Sequence, residues 1–153
     1  MALYNLSEFL SLLPPGSRLL GLDPGSKRIG VALSDVGLRI ASPYATLARG
    51  KMKRNVAELA VIIDREGVGG LIVGLPLDDG QMLGPRAQAA RDWAHSISEA
   101  TGLPAAMMDE SYSTAETHER LIVAGVSRAR RAEIVDKLAA AEILQRALDT
   151  MRA

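Results

Sequence analysis

The chain has 153 residues, 48% of them apolar and 24% charged, which suits one domain with a real core. Aromatics make up only 3%, so the core must be aliphatic, and base-stacking platforms of the single-strand binders are disfavoured. The absence of cysteine excludes disulfides, thiolate-held zinc and thiolate nucleophiles and fits a reducing cytoplasm, while a formal net charge of zero excludes a globally basic polyanion binder and leaves only a local patch for that task.

Residues 5–13 read as a short amphipathic helix ended by Pro14-Pro15-Gly16, expected to form an extension (residues 1–16) packed outside the main sheet. This start contains Glu8 and lacks a basic region, unlike a secretion signal. Residues 18–23 are a near-continuous apolar run, as in a strand covered on both faces. A turn at Pro24-Gly25-Ser26 leads to a second strand, Ile29 to Ser34, so the two should form a hairpin; residues 43–48 are a weaker third strand. Val56, Leu59, Ala60 and Ile63 lie at helical spacing within a helix expected from Arg54 to Glu66. Leu71 to Leu75 is a fourth, buried strand closed by Pro76, followed by the polar loop Asp78-Asp79-Gly80-Gln81.

Gly84-Pro85 opens a long helix to about Thr101, and Pro104 to Met108 is a fifth strand with Asp109-Glu110 at its end. Ser113 or Thr114 begins a helix, with Glu116 placed as a capping-box partner of Ser113, and residues 131–149 form the last one. The order predicts an α/β domain over residues 17–150. Its five-stranded mixed sheet has three antiparallel strands, then parallel ones, with helices on both faces. No apolar run approaches the roughly 20 residues that span a bilayer, so no membrane partner is expected.

Asp23 closes an apolar strand. Alternation sets Leu20 and Leu22 on one face and Leu19, Gly21 and Asp23 on the other. A carboxylate there is costly unless paired or metal-bound, although an Asx-type turn is the simpler reading of the residue alone. Gly25 permits positive φ or a close backbone approach, and Gly30 leaves room over the sheet. Lys27 and Arg28 put charge beside that room, where a phosphate would fit; solvated hairpin residues are the alternative. Asp136 shares a helix face with Ala139, Ala140, Ile143 and Ala147, so it lies on the apolar side, where small alanines let a helix approach a sheet closely and carry the acid to a strand end. A plain first-turn acid stabilised by the helix dipole is the competing reading. Asp109 and Glu110 point to opposite faces of a strand, so at most one can join Asp23.

Taken together, these acids make an oxygen-donor site for one or two divalent ions, such as magnesium or manganese, able to activate water against a phosphodiester. The two histidines, His95 and His118, read as helical surface residues, so no multi-histidine site competes. Two basic clusters could contact phosphates without reading sequence: Lys51, Lys53 and Arg54 in the stretch 49–54, and Arg128, Arg130 and Arg131 just before the Asp136 helix. Ordinary solvated loops are the alternative for both. Trp93 reads as helix packing.

Four segments in order, Leu22 to Ala32, Ile72 to Pro76, Asp109-Glu110 with Ser113-Thr114, and Val135-Asp136 with its alanines, resemble the YqgF (RuvX) family over roughly residues 17–150. The resemblance implies an RNase H-like fold related to Holliday junction resolvases and a nuclease that matures the 5′ end of 16S ribosomal RNA in the cytoplasm. It implies Asp23 and Asp136 as metal-binding catalytic acids, with Glu110 as the third and Asp109 as its alternative. Ser111 and Tyr112 depart from the Arg-Leu that often follows the acidic pair in that family, which puts one phosphate contact in doubt. The expected partner is nucleic acid, precursor rRNA or branched DNA, with the chain acting as monomer or homodimer. Junction resolution on DNA and a non-catalytic ribosome-assembly module are the competing readings. An ATP-binding reading of the Asp-x-Gly turn needs two such domains, for which the chain is too short.

Overall fold

A computed structural model of the chain describes residues 3–76, 84–110 and 125–152, with Glu110 described by its backbone alone. The elements run β1 (Leu3–Tyr4), α1 (Leu6–Phe9) with a 3-10 turn at Leu10–Leu12, β2 (Arg18–Pro24), β3 (Arg28–Ser34) and β4 (Ala41–Ala48). They continue with α2 (Met52–Glu66), β5 (Val68–Pro76), α3 (Pro85–Thr101), β6 (Ala105–Glu110) and α4 (Arg128–Arg152). The polar loop at 78–81 and the helix expected from Ser113 or Thr114 lie outside the described residues, as do Ser111, Tyr112 and His118.

The six strands form one sheet in the order β1-β6-β5-β2-β3-β4. Strands β2, β3 and β4 are antiparallel neighbours, whereas β1, β6, β5 and β2 run parallel. The carboxyl ends of β2, β5 and β6 therefore share one edge with the start of β3, the edge where open α/β sheets place their ligands. Five strands were expected. The sixth is β1, whose Leu3 and Tyr4 pair with Ala105 and Ala106. Two residues are too few to show a period of two, but they cover the otherwise open edge of β6. The N-terminal segment is thus joined to the sheet instead of lying outside it, and Phe9 is fully buried.

Both faces of the sheet are covered, as the apolar strands required. On one, Leu20, Leu22, Val31, Leu71 and Val73 pack with Leu59 and Ile62 of α2 and Trp93 and Ile97 of α3. On the other, Leu19, Ala32, Ile72 and Ala106 pack with Ala140, Ile143, Leu144 and Leu148 of α4 and with Phe9. Helices α2 and α3 stop where glycine permits a left-handed cap, at Gly67 (φ +67°) and Gly102 (φ +73°).

The last helix begins earlier than its apolar pattern suggested. Ser127 accepts the backbone N–H of Arg131 on its carbonyl (2.8 Å) and that of Arg130 on its hydroxyl (3.4 Å). Arg128 and Arg130 consequently join Arg131 in the first turn of α4, three residues ahead of the start expected at 131. Arginine and alanine are good helix formers, and a serine cap is all they needed.

Candidate active site

Helix α4 crosses the sheet on glycines. A Cβ added at Gly30 in β3 would stand 1.9 Å from the Asp136 carbonyl oxygen, and one at Gly21 in β2 would stand 2.7 Å from Leu144 Cβ and 3.0 Å from the Ala140 carbonyl oxygen. At Gly74 in β5 it would meet Ile143 Cδ1 at 2.6 Å and Asp23 Oδ1 at 3.6 Å. The alanines of α4 and the strand glycines are two halves of one close contact. The room over Gly30, read from sequence as space for a phosphate, is filled by the helix backbone. Gly25 has no positive φ; it closes the turn tightly, its N–H donating to the Arg28 carbonyl at 2.9 Å.

This contact sets the position of Asp136. Gly30 is the cross-strand partner of Asp23, so the first turns of α4 lie over the strand pair that carries Asp23. Asp23 shares the α4 face with Gly21 and Leu19, as alternation required. Two acidic residues separated by over a hundred positions are thus carried to one face of one sheet edge. The third acid can be placed by register. Ala106 and Met108 of β6 belong to the α4-side core and Met107 to the opposite one, so position 110 falls on the α4 face and position 109 on the other. Glu110 is in register with Pro76 at the same edge, while its side chain lies outside the described residues. Among the described residues no group of three or more metal-ligating side chains is assembled.

Arg28 bonds Asp136, Nε to Oδ2 at 2.5 Å, with both side chains partly buried. The expected phosphate-binding cation is therefore committed to Asp136, whose charge it offsets. Lys27, Lys51, Lys53, Arg54, Arg128 and Arg130 are exposed. Arg54 is held by the Ala48 carbonyl at 3.0 Å and by Glu58 at 3.8 Å. Arg131 is half-buried and donates to the Val126 carbonyl at 3.0 Å, which makes it a brace of its own helix more than a free cation. His95 is exposed on α3 and Trp93 is buried in the core, as expected.

One feature was missed. Arg49 and Arg86, with Pro24, Gly25, Ser26 and Pro76, line a cavity of about 330 Å³ on the α3 side of the same edge. Arg49 belongs to a basic run visible in the sequence, but Arg86 looks like any solvated residue of an amphipathic helix, and only the fold brings them together.

The donor set fits a hard divalent ion. Asp23 and Asp136 are oxygen donors on one face, the backbone of position 110 reaches the same edge, and the described site offers neither sulfur nor imidazole.

A family model described as "RuvX: Holliday junction resolvase" matches residues 17–150. A protein of Acidiphilium cryptum named "Putative pre-16S rRNA nuclease" is 54% identical over 151 residues, covering 99% of this chain and 96% of its own length. One of the same name from Gluconacetobacter diazotrophicus is 55% identical, covering 97% of each. Among solved structures, T. thermophilus RuvC in complex with a Holliday junction substrate superposes with a TM-score of 0.54 at 18% identity, over 89% of this chain and 96% of that one. The likeness establishes the RNase H-like fold. With the family match spanning residues 17–150, nearly the whole sheet and the segments that carry Asp23 and Asp136, this chain belongs to the RuvX family.

Proposed function

We propose that the chain hydrolyses phosphodiester bonds of structured nucleic acid, and that its substrate is the 5′ end of precursor 16S rRNA, as the names of its relatives suggest. The nuclease class follows from family membership. The observation that supports the site assignment is that Asp23 lies on the sheet face covered by the first turns of α4, which carry Asp136 and sit directly over Gly30.

In this reading Asp23, Asp136 and Glu110 hold one or two magnesium or manganese ions, with Asp109 excluded by its face of the strand. Such ions lower the pKa of bound water and offset charge on the leaving oxygen. Arg28 keeps Asp136 aligned and limits repulsion between the acids. Lys27, Lys51, Lys53, Arg54, Arg128 and Arg130 supply sequence-blind phosphate contacts. Residues 17–150 are the nuclease unit and residues 1–16 its extension, and precursor rRNA places the work in the cytoplasm. Among the described residues no helix is long and apolar enough to cross a membrane.

The family description favours a second reading, resolution of four-way DNA junctions by a homodimer. The test offers purified protein a 5′-extended 16S precursor and a four-way junction, each with magnesium or manganese. Metal-dependent shortening of the RNA leader is expected. Paired nicks in the junction with intact RNA would shift the assignment to DNA, and tight binding without cleavage of either would make the chain a non-catalytic assembly module.

A further inference from the structure

The cavity on the α3 side has no role in the chemistry described above. Pro24 follows Asp23, so it leaves the carboxylate face and enters this one. Arg49 is held there from three sides. Its backbone N–H donates to the Lys27 carbonyl (2.9 Å), its Nη1 donates to the Gly25 carbonyl (2.8 Å), and its guanidinium stacks 5.7 Å from the centroid of Trp93. The next residue, Gly50, donates its N–H to the buried Asn55 Oδ1 (2.9 Å), which pins the loop. A guanidinium fixed in this way loses little freedom on binding and keeps most of its five donors for a ligand. Arg86 is exposed on the first turn of α3 and lines the same cavity. Among the described residues neither arginine forms an ion pair, and none of those lining the cavity is acidic.

We propose that Arg49 and Arg86 form a second phosphate subsite, which grips the backbone of the nucleic-acid strand on the α3 side of the Pro24–Ser26 turn while the carboxylates act on the α4 side. Two guanidinium forks suit the paired oxygens of a phosphodiester. Gly25 lies only two residues from Asp23, on the order of 7 Å of backbone, so a phosphate held here belongs to the strand being cut, about one or two nucleotides from the scissile bond. The strand would straddle the sheet edge over the turn. The subsite reads no bases and sets the position of the strand.

This inference rests on the nuclease reading, and the experiment separates the two. Binding of a 5′-extended 16S precursor fragment is followed by fluorescence anisotropy at several salt concentrations, without divalent ion so that the RNA stays intact. Wild type is compared with Arg86→Ala, Arg86→Glu and Arg49→Gln, with melting temperatures recorded for each. Arg86→Ala is expected to bind about tenfold more weakly, with the slope of log K against log salt smaller by about one. Arg86→Glu should be weaker still, and Arg49→Gln should match Arg86→Ala. Because Arg86 is exposed, its variants should melt as wild type does. Unchanged affinity and slope in both Arg86 variants, beside wild-type protein that binds and cleaves, would overturn the subsite and leave the nuclease reading intact. Wild type that neither binds nor cleaves nucleic acid would overturn both.

Discussion

Replacing Asp23 with asparagine is expected to slow single-turnover cleavage by at least about a thousandfold while leaving the melting temperature nearly unchanged. The change keeps the shape of the side chain and removes the negative charge that a divalent ion requires. A site that no longer held such an ion would lose several kcal/mol of transition-state stabilisation, and about 4 kcal/mol corresponds to a thousandfold in rate. Asp136→Asn should lose activity to the same extent, with a small fall in stability as well, because Arg28 loses its charged partner. The third position gives an internal control. Glu110→Gln should follow Asp23→Asn, and Asp109→Asn should cleave as wild type does, since alternation along β6 sets the two positions on opposite faces. Quench-flow rates on the precursor, with circular dichroism melts of the same preparations, read both quantities. Activity in Glu110→Gln together with its loss in Asp109→Asn would show that β6 enters the site in the other register.

Gly30→Ala is expected to be the most damaging alanine substitution among the described glycines. The added carbon would lie 1.9 Å from the Asp136 carbonyl oxygen, where ordinary contact begins near 3.4 Å. The conflict is between two backbones, so no side chain can swing away to relieve it. Helix α4 must lift by at least about 1 Å, and it carries Ile143, Leu144 and Leu148 out of their fit against β2 and β5. Overpacking of this kind costs about 3 kcal/mol, equivalent to a fall of roughly 10 °C in Tm for a domain of this size. The same movement carries Asp136 away from Asp23, and a displacement near 1 Å in a reacting constellation costs about a hundredfold in rate. Cleavage measured well below the melting temperature separates the two effects. A Gly30→Ala protein with wild-type stability and rate would show that α4 does not seat on β3 as described.

The sequence made Asp23 and Asp136 legible for different reasons. Asp23 interrupts an apolar strand, and Asp136 sits on the alanine face of a helix; each breaks the periodicity of its element. The close approach of the Asp136 helix to the sheet was readable as well, since small residues on a helix are a sign of it. What sat over Gly30 was not readable, because a glycine in a strand says only that something comes near. Arg28 looked like a free cation because its partner is 108 residues away in the chain and leaves no local trace. Strand β1 was hidden by its length of two residues. The start of α4 was hidden because its apolar stripe begins only after the arginine turn, although Ser127 marked it. Arg86 could not be singled out at all, since its significance depends on the turn and loop that the fold packs beside it.

Crystals grown with manganese, recorded at a wavelength that reveals its anomalous scattering, test the central claim most directly. One or two anomalous peaks are expected, bounded by the carboxylates of Asp23 and Asp136 at the carboxyl edge of β2, with Glu110 on the β6 side, and no peak there in Asp23→Asn crystals. Saturating manganese that leaves this edge empty, or that binds equally well in the Asp23→Asn protein, would contradict it.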